Sequence, residues 1–311
     1  MHRTTSHFNP KLRIPRIHEL FWPVIRSGLL IGISYVILFP ILTKLSGSFM
    51  DLKDLYDPSV LWIPRRFTLE NYRVVFNGMY FPEAFSNSLK LTVMVSVFQL
   101  ISCTTIGYGF ARFPFKGSNI LFAFVILTLI VPPQMMMIPL YLTFRYFNFF
   151  GLAAKPLNLM SSYWPFILLS LTGTGFKNGL FIYIIRQYFR GMPKELEDAA
   201  SVDGANAFRI FLQVMLPGAV PVLVIVFLFS FVWQWNDYFY TSIFLSTKRF
   251  LPLTLEGLKD TLGITGGDEG GLIITVYNNT GSLMFMAPLL ILYAFMQRSF
   301  IESIERSGIV G

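Results

Sequence analysis

The chain has 311 residues, of which 54% are hydrophobic and only 14% are charged, and its mean hydropathy is +0.57. This composition excludes a soluble globular domain and indicates an integral membrane protein. The net charge of +8 does not indicate nucleic-acid binding, because the Lys and Arg residues are scattered among apolar runs, as in the flanks of membrane helices. The only cysteine, Cys103, lies in an apolar run and cannot form an internal disulfide.

A basic tail over residues 1–22 opens the chain and is followed by an apolar run that predicts a first membrane span at about 24–44. A cleaved signal peptide is the competing interpretation. The apolar core is longer than the usual signal core, and no A-x-A cleavage site follows it. We therefore expect this helix to be retained.

Later apolar runs predict five further spans, and a short tail over residues 301–311 ends the chain. The spans are expected at about 88–110, 120–140, 164–188, 217–240 and 281–300. Six spans place both termini on one side of the membrane. Basic residues are concentrated in the tails and short links, which predicts that this side is the cytoplasmic one. The predicted transmembrane domain is thus residues 23–300, in an all-α polytopic fold.

Two of these spans contain residues that interrupt a simple membrane helix. Pro132 and Pro133 lie inside the third span, where they are expected to kink it as a mobile gate or as a static bend. Lys177 and Asn178 lie inside the fourth span. Lys177 either lines a translocation path and meets an anionic group, or extends to the outer interface.

The end of the fifth span mixes aromatic rings with amide and carboxylate groups. The residues concerned are Trp233, Gln234, Trp235, Asn236 and Asp237. Sugars are recognised by aromatic stacking and planar polar groups, so this cluster is a candidate lining of a sugar path. An interfacial aromatic belt is the equally weighted alternative.

The longest polar-rich segment of the C-terminal half runs over residues 192–217 and is called here the 192–217 hairpin. Acidic residues after Pro193 favour a helix N-terminus, and Gly204 can end that helix in a left-handed cap. Asn206 can cap a second helix, whose apolar stripe is expected to be Phe208, Phe211, Leu212 and Met215. The pattern predicts a helix–turn–helix at a membrane face.

Three motifs in this hairpin together resemble the EAA loop of binding-protein-dependent ABC importer permeases of the carbohydrate, MalG-like type. They are Glu197-Asp198-Ala199-Ala200, Asp203-Gly204-Ala205 and Leu216-Pro217. Asp198 departs from the usual Glu by one methylene. The resemblance implies a type I permease fold and an ATPase-coupling surface. That surface would comprise Glu195, Glu197, Asp198, Ala199, Ala200, Asp203, Gly204, Ala205, Leu216 and Pro217.

The same resemblance implies a set of partners. These are a second, different permease subunit, two ATPase subunits that hold ATP and Mg, an extracellular solute-binding protein, a carbohydrate substrate and the surrounding lipid. This chain itself is expected to be non-catalytic and to bind no cofactor, metal or nucleic acid. The dipeptide Gly-Lys of a P-loop never occurs, and the only histidines are His2, His7 and His18.

An ion-coupled secondary transporter or channel without ATPase subunits is the alternative from another class. It would need ionisable residues near the bilayer midplane. Only Lys177 and Asp237 approach that description, so the sequence favours the importer.

Overall fold

The computed structural model describes residues 17–308 apart from 58, 61, 149–150, 152–154, 176 and 266. Residues 1–16 of the predicted basic tail and 309–311 of the predicted C-terminal tail lie outside the described residues. The described part of the chain is helical and contains no β-strand, only the isolated bridges Met50–Phe67 and Phe147–Leu157. The all-α prediction is confirmed.

Sixteen α-helices are numbered in chain order within the described ranges. They are α1 Ile17–Ser48, α2 Leu52–Leu55, α3 Glu70–Gly78, α4 Phe81–Arg112, α5 Ser118–Ile130, α6 Met137–Arg145, α7 Trp164–Leu171, α8 Asn178–Gly191, α9 Glu195–Val202, α10 Ala207–Ile210, α11 Leu216–Gly218, α12 Val220–Trp235, α13 Phe239–Phe244, α14 Leu251–Glu256, α15 Leu258–Thr261 and α16 Asp268–Gly308. A 3₁₀ turn covers Pro133–Met136, and a π-helical turn covers Phe211–Met215.

The chain divides into two compact units, Met1–Leu69 and Glu70–Gly311. In the first unit, Trp22–Ser48 is long and apolar enough to cross a membrane and has no buried residue in its most apolar stretch. Such an apolar surface requires lipid around it. After this helix, the Asp54 carboxylate accepts a hydrogen bond from the Arg66 backbone N–H at 2.7 Å, which fixes the following loop.

In the second unit, α4 is the central helix and packs against α7, α8 and α12. Polar residues of moderate size, including Ser88, Thr92 and Gln99, are buried along it. Gly107 brings α4 close to α8, since a Cβ at this position would lie 2.8 Å from Ile185 Cγ2 and 3.2 Å from the Arg186 backbone nitrogen. Small residues at membrane helix contacts allow such close packing.

The Gly107→Ala variant of the protein is expected to be less stable than the Gly109→Ala variant, which carries the same substitution two residues along the same helix. The Cβ at Gly109 meets nothing within 4 Å, whereas the Cβ at Gly107 forces α8 to shift. Because both variants gain the same helix propensity, their difference reports crowding alone, and it should reach about 1–3 kcal/mol. Thermal unfolding of the two purified variants measures it. Equal melting temperatures would contradict the close contact.

Within the described residues, three unbroken helices are able to span a membrane, or up to five spans if each of two bent pairs is counted as one. The unbroken ones are Trp22–Ser48, Phe81–Arg112 and Gly270–Gln297. The bent pairs are Ser118–Ile130 with Pro133–Arg145, at 103°, and Ala207–Gly218 with Val220–Trp235, at 76°.

The predicted third span is broken rather than kinked. Val131 and Pro132 leave the helix with extended backbone angles, and Pro133 begins the 3₁₀ turn. The residue before a proline avoids helical angles, so two consecutive prolines end α5 outright.

The predicted fourth span over 164–188 is corrected by the structure, which divides it into α7 and α8. Residues 172–177 separate the two helices, and Gly173 and Lys177 there have φ angles of 71° and 66°. Left-handed residues cannot continue an α-helix. The last predicted span, 281–300, is the central part of the much longer α16, which also takes in residues 301–308 of the predicted tail.

Candidate functional site: the 192–217 hairpin and the central cavity

The 192–217 hairpin has the predicted local structure. The helix α9 carries Glu195, Glu197 and Asp198 in its first turn. Gly204 follows this helix with a φ of 82°, a value that favours glycine. The Asn206 side chain then caps α10 by accepting a hydrogen bond from the Arg209 backbone N–H at 2.9 Å. The turn and the second cap are therefore confirmed.

Glu197 points into the protein and fixes the hairpin to α4. The Tyr108 hydroxyl donates a hydrogen bond to Glu197 Oε1 at 2.9 Å, and Arg112 Nε lies 3.3 Å from Oε2. The Arg112 Nη2 group also donates to the Met192 carbonyl at 2.7 Å. The side chains of Arg112 and Glu197 are only 6% and 19% exposed, so solvent screens this ion pair little.

The Tyr108 ring also packs against three aromatic rings next to its hydrogen bond with Glu197. Its centroid lies 4.7 Å from that of Phe211, 5.2 Å from that of Phe189 and 5.7 Å from that of Phe113. Ala200 and Ala205 of the hairpin pack against the same buried cluster. The hairpin is thus attached by apolar packing as well as by charge, and a force applied to it would reach α4 and α8.

The opposite side of the hairpin is an exposed, partly apolar surface. Val202 is 88% exposed and Phe208 is 70% exposed. Other exposed members of this surface are Glu195, Leu196, Asp198, Ala199, Asp203, Gly204, Leu212 and Pro217. Large exposed apolar side chains beside acidic ones are typical of a protein-docking surface.

The predicted apolar stripe is divided between two environments. Met215 is fully buried and Phe211 is half-buried, whereas Phe208 and Leu212 are exposed. The π-helical turn Phe211–Met215 interrupts the α-helical spacing on which the single stripe was predicted. Tyr108 and Arg112 were not predicted as partners of the hairpin. Their only sequence signal is a spacing of four residues near the end of the second span.

A cavity of about 330 Å³ lies inside the second unit. It is lined by four of the seven predicted path residues, namely Lys177, Trp233, Gln234 and Asp237, and also by Pro133. Trp235 instead belongs to a buried cluster, where its Nε1–H donates to the Phe285 carbonyl at 3.1 Å. The Asn236 amide donates to the Val232 carbonyl and is exposed.

The lining combines an aromatic face with charged groups. The Trp233 ring stacks on those of Phe181 and Phe229, at 5.5 and 5.7 Å, and Lys177 Nζ lies 5.3 Å from the Trp233 centroid. The Asp237 carboxylate accepts hydrogen bonds from the Thr241 hydroxyl and backbone N–H, at 2.9 and 3.0 Å. Asp237 therefore already has local donors at the start of α13.

A buried amide network closes one wall of the cavity and was not predicted. Gln99 Nε2 donates to Asn178 Oδ1 at 2.6 Å, and the Ser230 hydroxyl donates to Gln99 Oε1. These three residues join α4, α8 and α12, which are far apart in the sequence. A single glutamine in an apolar run gives no sign of its partners, so only the fold reveals the network.

Leucine at Gln99 is expected to lower the free energy of unfolding by about 1–3 kcal/mol, because it leaves the Asn178 amide and the Ser230 hydroxyl buried without partners. Thermal unfolding in detergent measures the loss. Glutamate at the same position should also destabilise the protein, since it replaces the amide donor with an acceptor. A Gln99→Leu variant as stable as the wild type would show that the network contributes nothing.

Comparison with known proteins identifies the family of the chain. Residues 104–304 match the model of the family described as binding-protein-dependent transport system inner membrane component. The chain belongs to this family of ABC importer permeases.

Several individual permeases are similar over most of the chain. The arabinooligosaccharides transport system permease protein AraQ of Halalkalibacterium halodurans is 30% identical over 296 residues, covering 93% of this chain and 98% of the relative. AraQ of Bacillus subtilis is 31% identical over 289 residues, covering 90% and 92%. The alpha-glucoside transport system permease protein AglG of Rhizobium meliloti is 32% identical over 80% of this chain and 62% of its own length.

A solved structure shows the same fold. The crystal structure of a bacterial ABC transporter involved in the import of the acidic polysaccharide alginate contains a chain that aligns with a TM-score of 0.70. The alignment covers 92% of this permease and 99% of that chain, at 22% identity. The type I importer permease fold and a multi-pass location in the cell membrane follow from these matches and the apolar helices.

Proposed function

We propose that this permease imports a carbohydrate or oligosaccharide in an ATP-driven complex, and that the 192–217 hairpin transmits the force. The observation that carries the proposal is the two-sided construction of the hairpin. One side is fixed to α4 through Glu197, Arg112 and Tyr108, and the other side exposes Val202 and Phe208. A separate ATPase subunit seated on the exposed side would displace α4 with the hairpin.

The transport cycle follows from this mechanical link. ATP binding would draw two ATPase subunits together and move the hairpin, since packed membrane helices adopt discrete arrangements rather than deforming continuously. The cavity beside Trp233 would then open toward the outside and receive substrate from an extracellular solute-binding protein. ATP hydrolysis would reset the inward-facing state. ATP and Mg belong to the ATPase subunits in this scheme.

The substrate class is supported by two observations of different kinds. Relatives similar over most of the chain are named for arabinooligosaccharides, and another is named for alpha-glucosides. The cavity presents the Trp233 ring beside polar side chains, an arrangement suited to a sugar ring. Two different permease subunits are expected to share the pore, with both termini of this one in the cytoplasm, as the basic residues of the short links favour.

A cross-link from Val202→Cys to an ATPase subunit tests the coupling surface. The full complex is purified from membranes through a tag on this chain and treated with a thiol-to-amine cross-linker. Val202 is the most exposed large apolar residue of the hairpin, and the native Cys103 is fully buried and should not react. We expect a product containing the ATPase subunit.

Ile291→Cys is the matched control, because Ile291 is an exposed apolar residue of α16 within the predicted membrane span. It should give no ATPase product. A complex that purifies without any ATPase subunit, or a Val202→Cys variant that cross-links no better than Ile291→Cys, would refute the proposed coupling. Uptake competition with a panel of glycans then tests the substrate class separately.

A further inference from the structure

We propose that a second cavity, beside the 192–217 hairpin, binds the phosphate of an anionic phospholipid headgroup. This cavity has a volume of about 750 Å³ and is called here the basic cavity. It is lined by the link between α4 and α5, by the end of α8 and by the start of the hairpin. The proposal concerns binding alone and does not rest on the proposed import function.

Positive charge is in excess in the basic cavity. Its lining contains four cationic side chains, Arg112, Arg186, Arg190 and Lys194, and only two carboxylates, Glu197 and Asp198. Arg112 is paired with Glu197. Among the ion pairs of the described residues, none involves Arg186, Arg190 or Lys194. An anion entering the cavity would therefore meet cations that the protein itself does not neutralise.

Arg186 and Arg190 lie one helical turn apart on α8, where like charges repel each other. The Arg186 guanidinium lies over the Phe122 ring, with its Cζ 3.8 Å from the ring centroid. Its Nε is shielded from solvent and has no hydrogen-bond partner among the described residues. A phosphate between the two arginines would relieve the repulsion and accept hydrogen bonds from both.

The start of α5 adds backbone donors to the same cavity. Gly117 precedes this 13-residue helix with a φ of 87°, and no side chain caps the helix. Ser118, Asn119 and Ile120 line the cavity, and of these the Ser118 N–H already donates to the Phe115 carbonyl at 3.2 Å. The first N–H groups of a helix lack intrahelical partners and carry the positive end of the helix dipole, which favours a phosphate.

The surroundings favour a lipid over a free phosphate. No residue of α5 is buried, and Ile120 at its start is 66% exposed. Phe113 and Phe115 of the link are also exposed. A phospholipid headgroup in the basic cavity would therefore lie beside an apolar helix face that its acyl chains can cover. Inorganic phosphate has no acyl chains and would leave that face uncovered.

The test uses the purified full-length permease in its complex, reconstituted in phosphatidylcholine nanodiscs with an increasing fraction of phosphatidylglycerol. Native mass spectrometry counts the retained phosphatidylglycerol. We expect saturable binding to the wild type and at least about 10-fold weaker binding to an Arg186→Gln/Arg190→Gln variant. A Lys155→Gln/Lys259→Gln variant removes the same charge from exposed positions outside the basic cavity and should bind as the wild type does.

Lys194→Gln provides a second variant, because Lys194 is exposed and its removal leaves the core intact. It should weaken binding by a few fold. Equal phosphatidylglycerol retention in the wild type and all cavity variants would overturn the proposal. Displacement of the lipid by an equal concentration of inorganic phosphate would overturn the choice of a lipid. Binding that appears only after the ATPase subunits are stripped away would assign the cavity to a protein contact and likewise overturn it.

Discussion

Replacing Glu197 with glutamine is expected to reduce ATP-driven uptake by at least about 10-fold and to lower the free energy of unfolding by about 3 kcal/mol. The change keeps the shape of the side chain but removes the charge that faces Arg112 at 3.3 Å. Arg112 is 6% exposed, so its guanidinium would be left buried without a counter-charge. Thermal unfolding and uptake into proteoliposomes containing the complex measure the two effects.

Two variants isolate the role of the ion pair. Glu195→Gln removes a carboxylate from the same helix turn, but Glu195 is exposed, so stability should not change. The double variant Glu197→Gln/Arg112→Met should recover part of the lost stability, because it removes the unpaired cation as well. A Glu197→Gln protein with wild-type stability and uptake would show that the hairpin is not held by this pair.

Valine at Gly204 is expected to reduce uptake by at least about 10-fold while the protein still inserts in the membrane. Gly204 has a φ of 82°, and a β-branched side chain in that region costs about 1–2 kcal/mol or more. The strain would displace α9 from α10 and disturb the exposed surface. Membrane yield, ATPase co-purification and uptake are measured together.

Asparagine at Gly204 is the matched control, because asparagine tolerates left-handed angles and nothing lies within 4 Å of the Cβ position. It should keep most of the uptake. Gly191→Val is a second control, at a glycine with open space and an ordinary backbone angle. Uptake by Gly204→Val equal to that of Gly204→Asn would refute a role for this turn in coupling.

Features set by local chemistry were predictable from the sequence. The Gly204 turn and the Asn206 cap depend on residues within a few positions of each other, and both have the expected geometry. Trp233 and Asp237 of the predicted aromatic and polar cluster both line the central cavity, and their role in a sugar path stays a prediction. Apolar runs long enough to span a membrane as helices were sufficient to predict the helical class.

Features set by distant contacts were not predictable. The inward orientation of Glu197 depends on Tyr108 and Arg112, about 85–90 positions away. The Gln99 network joins residues up to 131 positions apart. The hydropathy pattern also predicted one span over residues 164–188. Hydropathy measures how apolar a segment is and does not detect a break in the helical backbone such as the one at Lys177.

The π-helical turn Phe211–Met215 sets the rotational phase between the hairpin and the fifth span. A π turn accommodates one residue more than an α turn, and each residue of an α-helix advances the chain by about 100°. Converting this segment to an α-helix of the same length would turn Phe208 by roughly that angle relative to Met215, whereas deleting one residue would restore an α turn and leave the direction of Phe208 nearly unchanged. The π conformation of this turn therefore determines the direction in which the exposed side of the hairpin faces.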